Sequence, residues 1–121
     1  MQRRKYRRID AELLVEYSLE GKPSRKAKLK TYTKNVGARG MCFSVDEDIA
    51  LNTTLSLKIY PAEKAEPIAA LAKIVWKGKF TDMHEVVRYD VGVDIVEIGE
   101  RDQKRLRQRL FELVDEGGAQ A

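Results

Sequence analysis

The chain has 121 residues, the usual size of a single domain. Hydrophobic residues make up 43% of it and charged residues 35%, a balance that excludes a wholly disordered, collagenous or mucin-like chain. The formal charge of +4 is unevenly distributed, since residues 1–40 carry +8 and residues 41–121 carry −4. An anionic partner is therefore expected to bind the N-terminal third.

The sequence lacks the residues that several kinds of segment and site require. No uncharged run is long enough for a membrane-spanning helix, and acidic residues interrupt the stretch where a signal peptide would have its apolar core. The single cysteine, Cys42, cannot form an internal disulfide or a cysteine-based zinc site, which favours a reducing, cytoplasmic location. The one histidine, His84, has no nucleophile pattern near it, and the paired carboxylates Asp90 and Asp94 are interpreted as solvent-facing. We expect neither an enzyme nor a metal or cofactor site.

Most of the chain alternates apolar and polar residues with the period of a β-strand. In chain order the pattern predicts six strands, near residues 11–17, 26–31, 41–45, 55–59, 68–77 and 86–97. Hairpin-length connections between them favour an antiparallel sandwich or a small closed barrel, because closure removes exposed strand edges. Trp76 alternates with Ile74 on the apolar face of the fifth strand, so it is interpreted as core, with stacking on a base as the alternative.

The period changes after Gly99. Apolar residues at helical spacing predict an amphipathic helix over residues 100–116, followed by two glycines that end it. The polar face of this helix is rich in arginine and is interpreted as solvated; it carries Arg101, Arg105, Arg107 and Arg109.

The densest basic stretch is residues 3–8, which hold four arginines and a lysine just before the first strand. Guanidinium is permanently charged, forms bidentate hydrogen bonds with phosphate and with the O6/N7 edge of guanine, and stacks on aromatic rings. A ligand that contains both guanine and phosphate would use all of these properties. The alternative is a basic terminus without a dedicated partner.

A second stretch, residues 35–40, is predicted as a turn between the second and third strands. Its two glycines, Gly37 and Gly40, permit positive φ and a close approach of a ligand to the backbone. Asn35 offers both a donor and an acceptor to a base edge. By itself, this stretch indicates only a turn.

Together the two stretches resemble the PilZ domain, whose signature is Arg-x-x-x-Arg before the first strand and Asp/Asn-x-Ser-x-x-Gly after the second. Arg4 and Arg8 match the first element, with Arg3 in front of it. Asn35 and Gly40 match the ends of the second element, whereas Gly37 stands at the serine position. The resemblance extends over about residues 2–115.

The resemblance implies a mainly β fold, a six-stranded antiparallel PilZ-type barrel with a C-terminal α-helix. Residues 1–9 are expected to form a flexible arginine-rich arm, residues 10–116 the barrel and helix, and residues 117–121 a tail.

PilZ domains are non-catalytic bacterial receptor modules for the second messenger cyclic di-GMP. The resemblance therefore implies a binding site for this nucleotide at Arg3, Arg4, Arg8, Asn35, Gly37 and Gly40, with Arg7, Arg39 and Trp76 as accessory residues. Ligand binding is expected to order the arm and change the surface offered to a protein partner, without membrane insertion or specific binding of DNA or RNA.

Glycine at position 37 leaves an alternative open. A serine hydroxyl there could contact the ligand, and its loss is typically worth about 0.5–1.5 kcal/mol. The chain could therefore be a degenerate PilZ domain that binds only proteins. A β-barrel binder of single-stranded nucleic acid is a third hypothesis, but the nine aromatic residues are scattered rather than displayed on one strand face.

Overall fold

Seven strands and one helix follow each other in the described part of the chain, residues 8–19 and 29–115 of a computed structural model. The elements are β1 (Arg8–Ile9), β2 (Leu14–Leu19), β3 (Leu29–Gly37), β4 (Gly40–Val45), β5 (Thr54–Tyr60), β6 (Ile68–Thr81), β7 (Val87–Ile98) and α1 (Glu100–Asp115). Within these residues, α1 is neither long nor apolar enough to cross a bilayer.

Six of the strands form a closed antiparallel barrel. Their order is β3-β2-β5-β6-β7-β4, and the pairing of β4 with β3 closes the ring. The mainly β fold and the six-stranded barrel with a C-terminal helix are thus confirmed. The extra strand β1 pairs with the end of β3, with Arg8 opposite Gly37 and Ile9 opposite Val36. Because Val36 also pairs with Met41 of β4, β1 must lie on the other edge of β3, the edge that β2 follows further along.

The barrel interior is filled by alternate residues of every barrel strand, as the period of two requires. Phe43 of β4 is completely buried, and its ring lies 5.8 Å from that of Tyr17 in β2, centroid to centroid. Leu106 and Leu110 bury the apolar side of α1 in the same core.

The helix is held to the β5–β6 connection by polar contacts. The Asp102 carboxylate accepts a hydrogen bond from the Ala69 N–H at 3.1 Å, and Arg105 donates to the carbonyl oxygens of Glu66 and Pro67. Arg105 also pairs with Asp102 at 3.1 Å. Arg101 and Arg107 are exposed, as predicted for a solvated face, whereas Arg105 fixes the helix to the barrel.

Two strands are longer than the sequence pattern predicts. Residues 35–37 continue β3, so the predicted turn is reduced to Ala38 and Arg39. Strand β6 extends to Thr81, and the Asp82 carboxylate closes the β6–β7 hairpin by accepting hydrogen bonds from two backbone N–H groups of the turn. Local hydrogen bonds of this kind define turns that periodicity does not show.

A buried hydroxyl spans the gap between β1 and β2. The Thr33 Oγ1 atom donates to the Ala11 carbonyl oxygen at 2.6 Å and accepts from the Leu13 N–H at 2.8 Å. The Thr33 N–H in turn donates to the Leu13 carbonyl oxygen at 2.9 Å. The side chain of Thr33 therefore supplies the partners that regular strand pairing would otherwise provide there.

We expect Thr33→Val to lower the free energy of unfolding by about 1–3 kcal/mol, because the substitution keeps the shape but leaves a buried N–H and a carbonyl without partners. Urea unfolding measures the change. Thr33→Ser, which keeps the hydroxyl, is the control and should lose less. Equal losses in the two variants would show that the methyl group, not the hydrogen bonds, stabilises this position.

The buried side chain of Tyr17 is expected to make the barrel sensitive to alkaline pH. The pKa of Tyr17 is raised from 10.0 to about 12, mainly by burial and in smaller part by the nearby carboxylates of Glu47 and Asp46. The neutral phenol is therefore favoured in the folded state. Its contribution to stability is complete below pH 10 and is lost as the pH rises from about 10 to about 12.

Phenylalanine cannot ionise, so the stability of Tyr17→Phe should depend less on alkaline pH. Between about pH 9 and about pH 11.5, the free energy of unfolding should change in favour of the variant, relative to the unsubstituted chain, by about 2 kcal/mol. Urea unfolding at both pH values measures this difference. Parallel pH profiles for the two proteins would contradict the assignment.

Candidate functional site

The backbone pairing of β1 with β3 brings Arg8 to Asn35. Arg8 lies opposite Gly37 in the register, and its Nη1 atom donates to the Asn35 Oδ1 atom at 3.4 Å. The two residues are 27 positions apart in sequence. The structure thus joins the described members of the two sequence stretches, while Arg3, Arg4 and Arg7 lie outside the described residues.

Gly40 lies under the guanidinium of Arg8. A Cβ atom at this position would overlap the carbonyl oxygen of Val93 and would lie 3.0 Å from the Arg8 Nη2 atom and 3.3 Å from the Asp94 Oδ1 atom. Gly40 is in a strand and its φ lies outside the left-handed region. The glycine is therefore required by the close approach of β7 and Arg8, not by the positive φ that the sequence allows.

On the outer face of the barrel beside Arg8, the outward side chains of β4 are small, and we call the surface that they form with β7 the floor. Successive outward residues of β4 and β7 pair as Gly40 with Asp94, Cys42 with Gly92, and Ser44 with Asp90. Cys42 is buried in this floor and forms no disulfide. Arg8 lies at the Gly40 end and Asn35 lies opposite Cys42 in the β3–β4 pairing, so the floor leads away from the arginine across the barrel surface.

Trp76 lies on this outer face, and its interpretation as a core residue is wrong. A β-bulge between Ile74 and Trp76 shifts the register of β6 by one residue, so the alternation that points Ile74 inward points Trp76 outward. Trp76 pairs with Gly92 and remains 38% exposed.

The indole of Trp76 lies across the backbone of Gly92. A Cβ atom on Gly92 would overlap the Nε1 atom of the indole and would lie 2.6 Å from both Cδ1 and Cε2. Only glycine leaves room for the ring there. An aromatic side chain, partly open to solvent, thus borders the floor on its β6 side.

A polar cluster occupies the far end of the floor. Asp90 accepts a hydrogen bond from the Ser44 hydroxyl at 2.6 Å and pairs with Lys34 at 2.8 Å. The Lys34 ammonium also lies 5.1 Å from the centroid of the Phe80 ring. Asp90 faces outward, as predicted, but these partners cover part of it, whereas Asp94 is exposed.

Sequence reasoning missed the role of Asp94 as a neighbour of Arg8 and Gly40. Strand alternation predicts its outward orientation, but only the β4–β7 register places it opposite Gly40. Arg39 lies in the turn beside these residues; its side chain is exposed, and its carbonyl oxygen accepts from the Ile95 N–H at 2.8 Å.

The arrangement is suited to binding an anion that carries a flat ring. It offers guanidinium donors from Arg8, an amide from Asn35, a carboxylate from Asp94, and the indole of Trp76 across the floor. Among the residues that the structure describes, no three His, Cys, Asp or Glu side chains form a group that could hold a metal ion. His84 lies away from the floor, in the turn at the tip of the β6–β7 hairpin.

The family model described as PilZ domain matches residues 2–112. The chain belongs to the PilZ family. The match includes both signature stretches, with Gly37 at the position where the PilZ signature has serine.

Solved structures with the same fold include the PilZ domain of YcgR from Escherichia coli with c-di-GMP, at 14% identity and a TM-score of 0.69. That likeness covers 96% of this PilZ chain and 95% of the YcgR domain. The MrkH–c-di-GMP complex of K. pneumonia has a TM-score of 0.72 at 14% identity, over 97% of this chain and 54% of that one.

The inhibitor of motility MotI/DgrA from Bacillus subtilis is 24% identical, with a TM-score of 0.69, over 95% of this chain and 53% of that one. The PilZ chain therefore spans about half the length of MotI/DgrA and of MrkH. No curated protein matches it in sequence.

We expect Gly92→Ala to displace the indole of Trp76, because the added methyl group would occupy the place of Nε1. Trp76 is the only tryptophan, so its fluorescence emission should shift to longer wavelength as the ring enters solvent. The chain should stay folded, since a side chain moves and not the backbone. Gly78→Ala is the control, because its Cβ would meet the indole at an ordinary 3.8 Å. Unchanged emission in Gly92→Ala would contradict the packing described.

Proposed function

We propose that this PilZ domain is a non-catalytic bacterial receptor that binds cyclic di-GMP on the outer face of the barrel. The observation that carries the proposal is the guanidinium of Arg8, which lies over Gly40 between Asn35 and Asp94. A cation held above a floor of small side chains offers a ligand both charge and space.

The chemistry of the ligand matches these groups. Cyclic di-GMP has two phosphates and two guanines, so it presents anionic oxygens together with base edges. Arg8 can donate to either group, and we assign Arg3 and Arg4 of the arm to the remaining phosphate and guanine contacts. Asn35 would engage a base edge through its amide. Gly37 and Gly40 let the ligand approach the backbone.

Similar folds support this ligand. The solved structures of the YcgR PilZ domain and of MrkH include complexes with c-di-GMP, and that of PlzA from Borreliella burgdorferi is another. Their identities to this chain are 14% or less, so the likeness is one of fold. The argument for binding therefore rests on the family and on the residues of this chain.

Three further residues could extend the site. Trp76 displays part of its indole at the far side of the floor, where a guanine could stack on it. Arg39 lies in the turn after Gly37, and Arg7 comes directly before β1 in sequence. We assign all three accessory roles.

Binding would transmit a signal through the arm. The arm residues that precede β1 would become ordered over the ligand and would change the surface offered to a protein partner in the bacterial cytoplasm. The structure supplies a means of coupling, because the last two residues of the arm, Arg8 and Ile9, pair with β3 and Ile9 is buried in the core.

The alternative, a degenerate domain that binds only proteins, rests on Gly37. Gly37 is buried and pairs with Arg8. The hydroxyl that a serine would provide at this position is therefore absent close to the proposed site. The same titration separates the two hypotheses.

Calorimetric titration of the complete chain with cyclic di-GMP tests the proposal, and saturable heat is expected. Arg8→Ala should weaken binding by about 5- to 150-fold, since one bidentate contact is worth about 1–3 kcal/mol. Its melting temperature should change little, because the backbone pairing of β1 remains.

Arg101→Ala is the matched control, an exposed arginine at the start of α1 whose removal should leave the affinity unchanged. If the folded chain gives no heat at high micromolar ligand, the receptor hypothesis fails and the degenerate alternative is favoured. Equal affinities of Arg8→Ala and the unsubstituted chain would show that the ligand binds elsewhere.

A further inference from the structure

We propose that Asp94 determines the base specificity of this site, so that guanine is bound in preference to adenine. Its carboxylate would accept hydrogen bonds from the N1–H and N2–H groups of a guanine whose O6 and N7 atoms face Arg8. This inference rests on the proposed function, since it concerns how the same site distinguishes cyclic di-GMP from cyclic di-AMP.

Asp94 is placed for this role by the β4–β7 register. It lies opposite Gly40, with its side chain exposed on the outer face. Its Oδ1 atom lies 3.3 Å from the point where a Cβ of Gly40 would be, and the Arg8 Nη2 atom lies 3.0 Å from the same point. A donor of Arg8 and an acceptor of Asp94 therefore lie close to one point above Gly40, from which both could contact the same base.

The three polar side chains around Gly40 differ in what they can distinguish. Arg8 has only donors, so it binds phosphate oxygens and the N7 atom of either purine. Asn35 has a donor and an acceptor, so its amide can adapt to either base. An ionised Asp94 has only acceptors. Guanine offers two donors on its Watson–Crick edge, whereas adenine presents an acceptor at N1, which a carboxylate would repel.

The charge of the ligand restricts what Asp94 can do in the site. Cyclic di-GMP carries two negative charges, so a carboxylate beside its binding site repels it. Hydrogen bonds from the ligand to that carboxylate would offset this repulsion. The other outward carboxylate on β7, Asp90, already has Ser44 and Lys34 as partners. Asp94 has a different neighbour, since it lies directly opposite Lys73 in the β6–β7 pairing. A purely structural role for Asp94 would be a cross-strand ion pair with Lys73.

The test measures affinities for cyclic di-GMP and cyclic di-AMP by calorimetry in the unsubstituted chain, Asp94→Ala and Asp94→Asn. The two ligands have the same sugar–phosphate ring, so the ratio of their affinities cancels the attraction or repulsion of the phosphates. Glu97→Ala is the matched control, because it removes an exposed carboxylate from the same strand.

We expect the unsubstituted chain and Glu97→Ala to prefer cyclic di-GMP by at least about tenfold, the discrimination typical of one good base contact. In Asp94→Ala the ratio should fall towards one. Asp94→Asn should also lose preference, because its amide can donate to N1 of adenine.

Four results would overturn the inference. An unchanged ratio in Asp94→Ala, with cyclic di-GMP still bound, would refute it and leave the proposed function standing. An equal gain in affinity for both ligands would show that Asp94 only repels phosphate. A lower melting temperature with an unchanged ratio would assign Asp94 to the pair with Lys73. If the unsubstituted chain binds neither ligand, the proposed function fails together with the inference.

Discussion

The pairing of β3 along both of its edges is the constraint on which the site depends. On one edge β4 closes the barrel, and on the other β1 and β2 follow each other with Thr33 filling the gap between them. This double pairing brings Arg8 beside Asn35, and the next pairing, β4 with β7, adds Asp94. Backbone ladders, rather than a long loop, therefore fix the relative positions of these groups.

Much of the fold could be predicted from the sequence because strand alternation survives in nearly every barrel strand. Hydrophobic periodicity reports which face of a strand is buried, but it does not report register. The described part of β1, Arg8–Ile9, is too short to show a period, and the bulge before Trp76 inverts the alternation without any glycine or proline to indicate it. The proximity of Asp94 to Arg8 follows from register alone. The predictions were therefore wrong where a shift of one residue in register decides which way a side chain points.

The basic surplus of the N-terminal third is partly neutralised within the barrel itself. The Lys30 Nζ atom lies 3.8 Å from the Glu16 Oε2 atom, and Lys34 pairs with Asp90. Both lysines therefore already have a carboxylate as a partner within the barrel. Arg8 lies beside the amide of Asn35 and near the carboxylate of Asp94, above a glycine. Charge counting alone does not separate these cases, because the strand pairing decides which groups surround each cation.

The pairing of β1 with β3 offers a way to adjust the affinity of such a receptor. Within the described residues, Arg8 and Ile9 hold this strand to β3, whereas the closed barrel begins at β2. Detachment of β1 would withdraw Arg8 from Asn35 and leave the barrel closed. The apparent dissociation constant is then the intrinsic one divided by the attached fraction. Ile9, buried in the core, would control that fraction. Sequence changes at Ile9 could thus set the nucleotide concentration at which the receptor responds while every ligand contact stays the same.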